Sequence, residues 1–266
     1  MSMKQKIKDS ICHLIYDKVV PFLTKKRVPY SLNCLGESVD CFEIKNVQAG
    51  VQIKHSTEFL FEQKFLDACK VVKNGLPPSA KETFREDMRL RYYTACKFAG
   101  LAGIQEGDFV TIGVSFGVMP RLILEYTSSN RPYWLVDAWD GYDPYRSKAV
   151  GAHKVHEGYC SNVDDVKKIF GRYDNARIIQ GFAPEALYGA GPDKIAFLHL
   201  DTTDQACEAA SIEYLWERIV PGGIIVIDMF NLGRGYVKEY APLFEKLGCT
   251  DRVIGTAHGQ GIIFKQ

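Results

Sequence analysis

Net charge is what this sequence has least of: 33 basic and 32 acidic side chains leave +1 over 266 residues. Without a broad positive field the chain cannot gather phosphate backbone or anionic lipid by long-range attraction, so nucleic acid is not an expected partner. Long apolar runs are missing as well. The most apolar N-terminal stretch, residues 11–23, is broken by His13, Asp17 and Lys18, which excludes a transmembrane segment built on the roughly 20 uninterrupted apolar residues that a span needs. It reads as a helix packed on its own domain, and no small-residue cleavage site follows it. The eight cysteines (Cys12, Cys34, Cys41, Cys69, Cys96, Cys160, Cys207, Cys249) show no paired metal-ligand spacing. Reduced thiols in a cytoplasmic protein are therefore expected. No internal repeat or low-complexity tract is visible.

What is present is ordinary globular composition, 46% hydrophobic and 24% charged, enough to bury a large core without staples. The turn signal Asn74-Gly75-Leu76-Pro77-Pro78 divides the chain into an N-terminal extension, residues 1–78, and a ligand-binding domain, residues 79–266. The extension mixes helix with short strands, including an alternating stretch over 39–53, and is expected to form a pocket wall or the contact of a homo-oligomer. Beyond it, a helix over 80–101 leads into strands at 109–114, 133–139, 176–181, 195–201 and 223–230 and two C-terminal runs. Helices at 118–126, 163–173, 205–219 and 236–247 lie between them, and Pro221-Gly222-Gly223 is read as a sharp helix stop. This alternation predicts an α/β fold: a mostly parallel seven-stranded sheet, helices on both faces and an antiparallel C-terminal hairpin.

Ligands of open parallel sheets bind beyond the carboxyl ends of the strands. The first strand ends in Gly113-Val114-Ser115-Phe116-Gly117, where small residues let a ligand approach backbone amides at a helix start. The second ends in Asp137-Ala138-Trp139; a carboxylate about 20 residues after the glycine turn accepts ribose hydroxyls when one βαβ unit holds one nucleoside. The third ends in Gly181-Phe182, a small residue and an aromatic ring able to border adenine. The fourth and fifth end in His199-Leu200-Asp201 and Ile227-Asp228-Met229. Two carboxylates on neighbouring strand ends hold a divalent cation or orient a hydroxyl. His199 is read as facing away from Asp201, a satisfied core residue.

The order of these segments from Gly107 onward resembles the macrocin O-methyltransferase group of class I methyltransferases. The resemblance rests on Gly107-Asp108-Phe109-Val110 before the glycine turn, Leu135-Val136-Asp137-Ala138-Trp139-Asp140-Gly141, Phe170-Gly171-Arg172-Tyr173 before Gly181-Phe182, and Leu198-His199-Leu200-Asp201 followed by Pro221-Gly222-Gly223 and Ile227-Asp228. It implies a Rossmann-like fold, S-adenosyl-L-methionine as methyl donor, a sugar or natural-product hydroxyl as small-molecule acceptor, and Mg2+ beside the acceptor oxygen, here on Asp201 and Asp228 with water. The chain departs from the group's pattern at three positions. Thr111 stands where an acid contacts the cofactor, Thr203 replaces the second acid of Asp-x-Asp, and Met229, a thioether unsuited to magnesium, replaces the second of a pair of acids.

Methyl transfer to a hydroxyl needs a base, and Asp201, His153, His156 and His258 are the candidates. The first two histidines sit in the 143–162 loop, whose tyrosine-rich composition suits an active-site cover. An acceptor that is already anionic (carboxylate, phosphate or phosphonate) would need neither base nor metal. A cofactor-binding protein that has lost catalysis is a second reading, favoured by the three departures. An NAD-dependent oxidoreductase is a third, opposed by a first turn that lacks Gly-x-Gly-x-x-Gly.

Overall fold

The structure, a computed structural model, describes residues 58–141, 162–230 and 236–266 together with short strands between residues 30 and 52. The chain divides into two units, Met1–Val47 and Gln48–Gln266. In the first, Tyr30–Cys34 pairs antiparallel with Glu37–Cys41. The alternation expected over 39–53 is thus broken into the end of this hairpin and the two-residue strands Val47–Gln48 and Val51–Gln52.

The second unit carries a seven-stranded sheet. Its strands are β1 (Asp108–Ile112), β2 (Tyr133–Asp137), β3 (Ala176–Gln180), β4 (Ile195–Leu200), β5 (Ile219–Ile227), β6 (Val253–Gly255) and β7 (Gly261–Phe264), in the order β6-β7-β5-β4-β1-β2-β3. β1 to β5 run parallel; β7 lies antiparallel beside β5, and β6 pairs antiparallel with β7. The helices are α1 (Gln63–Asn74), α2 (Arg89–Ala102), α3 (Val118–Thr127), α4 (Val163–Phe170), α5 (Gln205–Leu215) and α6 (Ala241–Lys246). No described helix is long and apolar enough to cross a membrane.

Central strands read as unbroken apolar runs because helices cover both faces; all six residues of β4 are buried. Side chains two apart share a face. Phe109, Leu135, Phe197, Val226 and Ile262 pack with Ala95 and Ala99 of α2 and Leu122 of α3. Val110, Ile112, Leu198, Leu200, Ile225 and Ile263 pack with Ile212 of α5 and Phe244 of α6. Each fully buried Phe or Leu contributes about 1.5–3 kcal/mol. Because β1 lies between β2 and β4, the chain's crossovers reverse direction there, and the crevice above the β1 and β4 ends is where such a sheet receives ligands.

Several boundaries differ from the sequence reading. The helix expected over 80–101 is broken: Pro78–Thr83 is a 3-10 turn, Phe84 and Arg85 are extended, and α2 begins only at Arg89. The Arg85 amide donates to the buried Tyr92 hydroxyl at 3.3 Å, a bond that a continuous helix would forgo. α5 stops at Leu215 rather than 219. Pro221-Gly222-Gly223 is no helix stop but a bulge inside β5, where the register to β4 jumps from Ile219 to Ile224. Gly222 has φ +80 and gives its amide to the Lys265 carbonyl at 2.8 Å. The helix expected over 236–247 opens with a π-turn, Tyr236–Tyr240, before α6.

Candidate functional site

The turn after β1 is shaped by close approach. Gly113 has φ +87, and a Cβ there would meet the carbonyl oxygen of Asp201 and lie 2.9 Å from the Thr202 amide. Only glycine allows β1 and β4 to converge in this way. Gly117, with φ +76, opens α3, and a Cβ on it would strike the Phe170 ring. Between them Ser115 takes the left-handed conformation, φ 48.

Asp137, at the end of β2, holds this turn. Its Oδ2 accepts from the Val114 and Ser115 amides at 2.7 and 2.8 Å, and its Oδ1 from the Ala138 amide at 2.7 Å. A carboxylate offers about four lone-pair sites, so most of the capacity expected for a ribose is already committed to backbone. Trp139 has φ 43, is buried, and donates its indole N–H to the Ser115 carbonyl at 3.0 Å, closing the turn from the other side. Thr111 lies below, in the sheet core, with its hydroxyl on Tyr133 Oη at 2.7 Å; this removes it from the ligand-facing residues expected from sequence. Gly181, with φ +149, bonds the Asp137 carbonyl through its amide at 2.8 Å, and a Cβ on it would crowd Ala186 at 2.9 Å. Phe182 opens the following turn, its carbonyl accepting the Ala186 amide at 2.7 Å.

The second half of the site lies on the face that α2 covers. His199 and Asp201 are two residues apart and therefore share a side, which corrects the expectation that they face apart. Ligand atoms of His199, Asp201 and Asp228 all lie within 4.8 Å of one another. His199 is fully buried, and among the described residues neither of its ring nitrogens has a hydrogen-bond partner; Nε2 stands 3.7 Å from Asp228 Oδ1. The satisfied core histidine expected from sequence is absent.

Asp228 is clamped. Arg91 of α2 places Nη2 3.1 Å from Oδ2, with both side chains at least nine-tenths buried. Gln260, between β6 and β7, donates Nε2 to Oδ1 and reaches the Arg91 carbonyl at 3.3 Å. Burial alone would push the Asp228 carboxyl up, but His199, Arg91 and Gln260 outweigh it and hold the group below its usual range. Asp201 behaves oppositely: burial, then the neighbouring Asp228 charge, push its carboxyl up to about 7. Two carboxyls with separated proton affinities are a frequent sign of acid–base chemistry.

The remaining candidates divide. His258 approaches Gln260 Oε1 through Nε2 at 2.8 Å and Thr94 Oγ1 at 3.3 Å. Since Gln260 turns its NH2 to Asp228, its oxygen faces His258, and Nε2 must carry the proton. Burial holds this imidazole below its ordinary range. His153 and His156 lie outside the described residues. Thr202 and Asp204 build the loop after β4: Asp204 caps α5 by accepting the Ala206 and Cys207 amides, and Thr202 gives its amide and hydroxyl to buried Glu208 at 2.8 and 3.0 Å. Tyr240 donates to the other Glu208 oxygen. Magnesium does not fit. It seeks oxygen ligands, whereas both Asp228 oxygens are engaged, Met229 turns its sulfur to Arg91 at 3.5 Å, and the third converging group is an imidazole. Arg91, Gln260 and the Glu208–Tyr240 pair escaped the sequence reading; a buried arginine at the start of a helix leaves no local pattern to find.

The macrocin-O-methyltransferase family model matches residues 40–248. The chain is 26% identical over 179 residues, 61% of its length and 69% of the relative's, to the 8-demethyl-8-(2,3-dimethoxy-alpha-L-rhamnosyl)-tetracenomycin-C 4'-O-methyltransferase of Streptomyces olivaceus. Its fold is similar to the structure of the O-methyltransferase NovP, with TM-score 0.63 and 17% identity, covering 77% of this chain and 99% of that one.

Proposed function

The chain belongs to the macrocin-O-methyltransferase family, and we propose that it methylates a hydroxyl of a sugar borne by a natural product, with S-adenosylmethionine as donor and Asp201 as general base. The observation that carries this reading is the placement of Asp201. It ends β4 against the glycine turn, where Gly113 lets the two strands touch, and its carboxyl is pushed up to about 7. A base matched to neutral pH thus sits at the mouth of the crevice that takes the ligand. The rhamnosyl group in the name of the Streptomyces olivaceus relative supports a sugar acceptor.

Bound S-adenosylmethionine supplies a methyl group already activated on a sulfonium. The protein's contribution is position and a proton sink. The turn from Gly113 to Gly117 presents backbone to the donor, Asp137 and Trp139 fix its shape, and Gly181 and Phe182 border it. As the acceptor oxygen bonds to the methyl carbon and the carbon–sulfur bond breaks, the hydroxyl proton passes to the Asp201 carboxylate. Asp228 stays ionised through Arg91 and Gln260, and its charge keeps Asp201 basic.

The test pairs binding with product. S-adenosylhomocysteine is titrated calorimetrically into the purified chain, and methyl-labelled donor is then supplied with a panel of deoxyhexose glycosides. Label recovered as an O-methyl ether is expected. Absence of S-adenosylhomocysteine binding, or label found only on nitrogen or carbon, overturns the reading.

A further inference from the structure

The methyl-transfer chemistry uses Asp201 as base and the Asp228 charge beside it, but does not by itself require that a buried arginine be the group holding Asp228 ionised. Arg91 and Asp228 are both buried, 6% and 4% exposed, and an arginine carried so deep must repay its desolvation through fixed partners. Those partners are Asp228 Oδ2 at 3.1 Å and the Met229 sulfur at 3.5 and 3.7 Å from the two terminal nitrogens. The other Asp228 oxygen takes the Gln260 amide, which also holds the Arg91 carbonyl. The guanidinium is thus tied at its head and at its own backbone.

We propose that Arg91 is the resident cation of this site: it occupies the Asp228 carboxylate that a divalent ion would need, so methyl transfer here proceeds without a metal. This rests on the methyltransferase reading above. Three carboxylate and imidazole groups converge within 4.8 Å, a geometry that by itself would attract an ion. A divalent cation bridging Asp201 and Asp228 would have to compete with either the guanidinium or the amide at the Asp228 oxygen it used, and would then sit beside the Arg91 positive charge. Met229 completes the arrangement. A second acid there would leave a negative charge to balance a metal, whereas a thioether is a weak, neutral acceptor and leaves Arg91 and Asp228 matched one to one.

The test uses the full chain stripped of metal by chelation. Mn2+ is titrated and the free aquo-ion followed by electron paramagnetic resonance, with Mg2+ titrated by calorimetry and S-adenosylhomocysteine titrated in parallel. The wild-type protein is expected to show no saturable Mn2+ or Mg2+ binding up to about 1 mM. Arg91→Met should gain an Mn2+ site at least about tenfold tighter, and Arg91→Lys, which keeps the charge, should not. Saturable wild-type binding below that limit overturns the proposal, as does a folded R91M protein that binds no ion. If R91M fails to fold, the wild-type titration decides. Loss of S-adenosylhomocysteine binding in the wild-type protein sinks the methyltransferase reading, while the metal titrations still report on Arg91.

Discussion

Asp137 supports a prediction whose size follows from its contacts. In Asp137→Asn one carboxylate oxygen becomes an NH2. The amide serves best by keeping its oxygen toward the Val114 and Ser115 amides, now 2.7 and 2.8 Å from Oδ2; its nitrogen then faces the Ala138 and Trp139 amides, now 2.7 and 3.4 Å from Oδ1, donor against donor. Two charge-assisted bonds become neutral ones, a loss of about 1 kcal/mol each, and the short Ala138 bond is lost outright with its donor unsatisfied, about 1–3 kcal/mol more, the long Trp139 contact adding little. Discounted for the partial exposure of Asp137, the loss is about 3 kcal/mol. For a domain of this size it lowers the melting temperature by roughly 6–12 °C. Urea denaturation of ligand-free protein measures the loss, and S-adenosylhomocysteine titration of the same samples measures binding. If Asp137 braces the turn, stability and affinity fall together. A variant as stable as wild type that only loses affinity would refute the brace and return Asp137 to the ribose role read from sequence.

Further expectations concern the neighbouring positions. Gly113→Ala places a methyl against the Asp201 carbonyl at φ +87 and should cost about 2–4 kcal/mol from left-handed strain and overpacking; an unchanged urea midpoint would mean that β1 and β4 separate at no cost. Glu208 is pushed up by burial to about 8 from 4.5, so the folded state keeps a proton that the unfolded chain releases. Its stabilising contribution is full below pH 4.5, declines as pH rises toward 8, and the whole window is worth at most about 5 kcal/mol. Glu208→Gln should therefore flatten the fall in stability between pH 5 and 8, and a denaturation slope equal to wild type would contradict the burial argument. Asp201→Asn should lower kcat by about 10²–10⁴ and abolish the rise of rate with pH near 7; a variant turning over at wild-type rate would exclude Asp201 as the base.

The parts of this fold legible in sequence are those set by local spacing. The strand–turn–helix runs around Gly113, Asp137 and Asp201 are short-range patterns, and the mostly parallel sheet with its C-terminal hairpin follows from them. Misreadings came where tertiary contacts override local signals. Pro221-Gly222-Gly223 has the composition of a helix stop, yet it is absorbed as a bulge because Gly222 and Gly223 pair with Lys265. The helix expected over 80–101 yields its first turns to the contact between Arg85 and Tyr92. His199 shares the Asp201 face because residues two apart along a strand point the same way, against the expectation that the two face apart. Arg91 and Gln260 had no local signal, because what makes them part of the site is each other and Asp228.

The bond from Gln260 to the Arg91 carbonyl spans 169 residues. During synthesis α2 leaves the ribosome long before its partner exists, and at about 5–20 residues per second Arg91 waits roughly ten seconds or more for Gln260. Contacts of such separation are the slowest to close. The nascent chain can therefore pair β1 to β5 and shape the glycine turn before Gln260 locks the buried charge pair, and competence for catalysis arrives last.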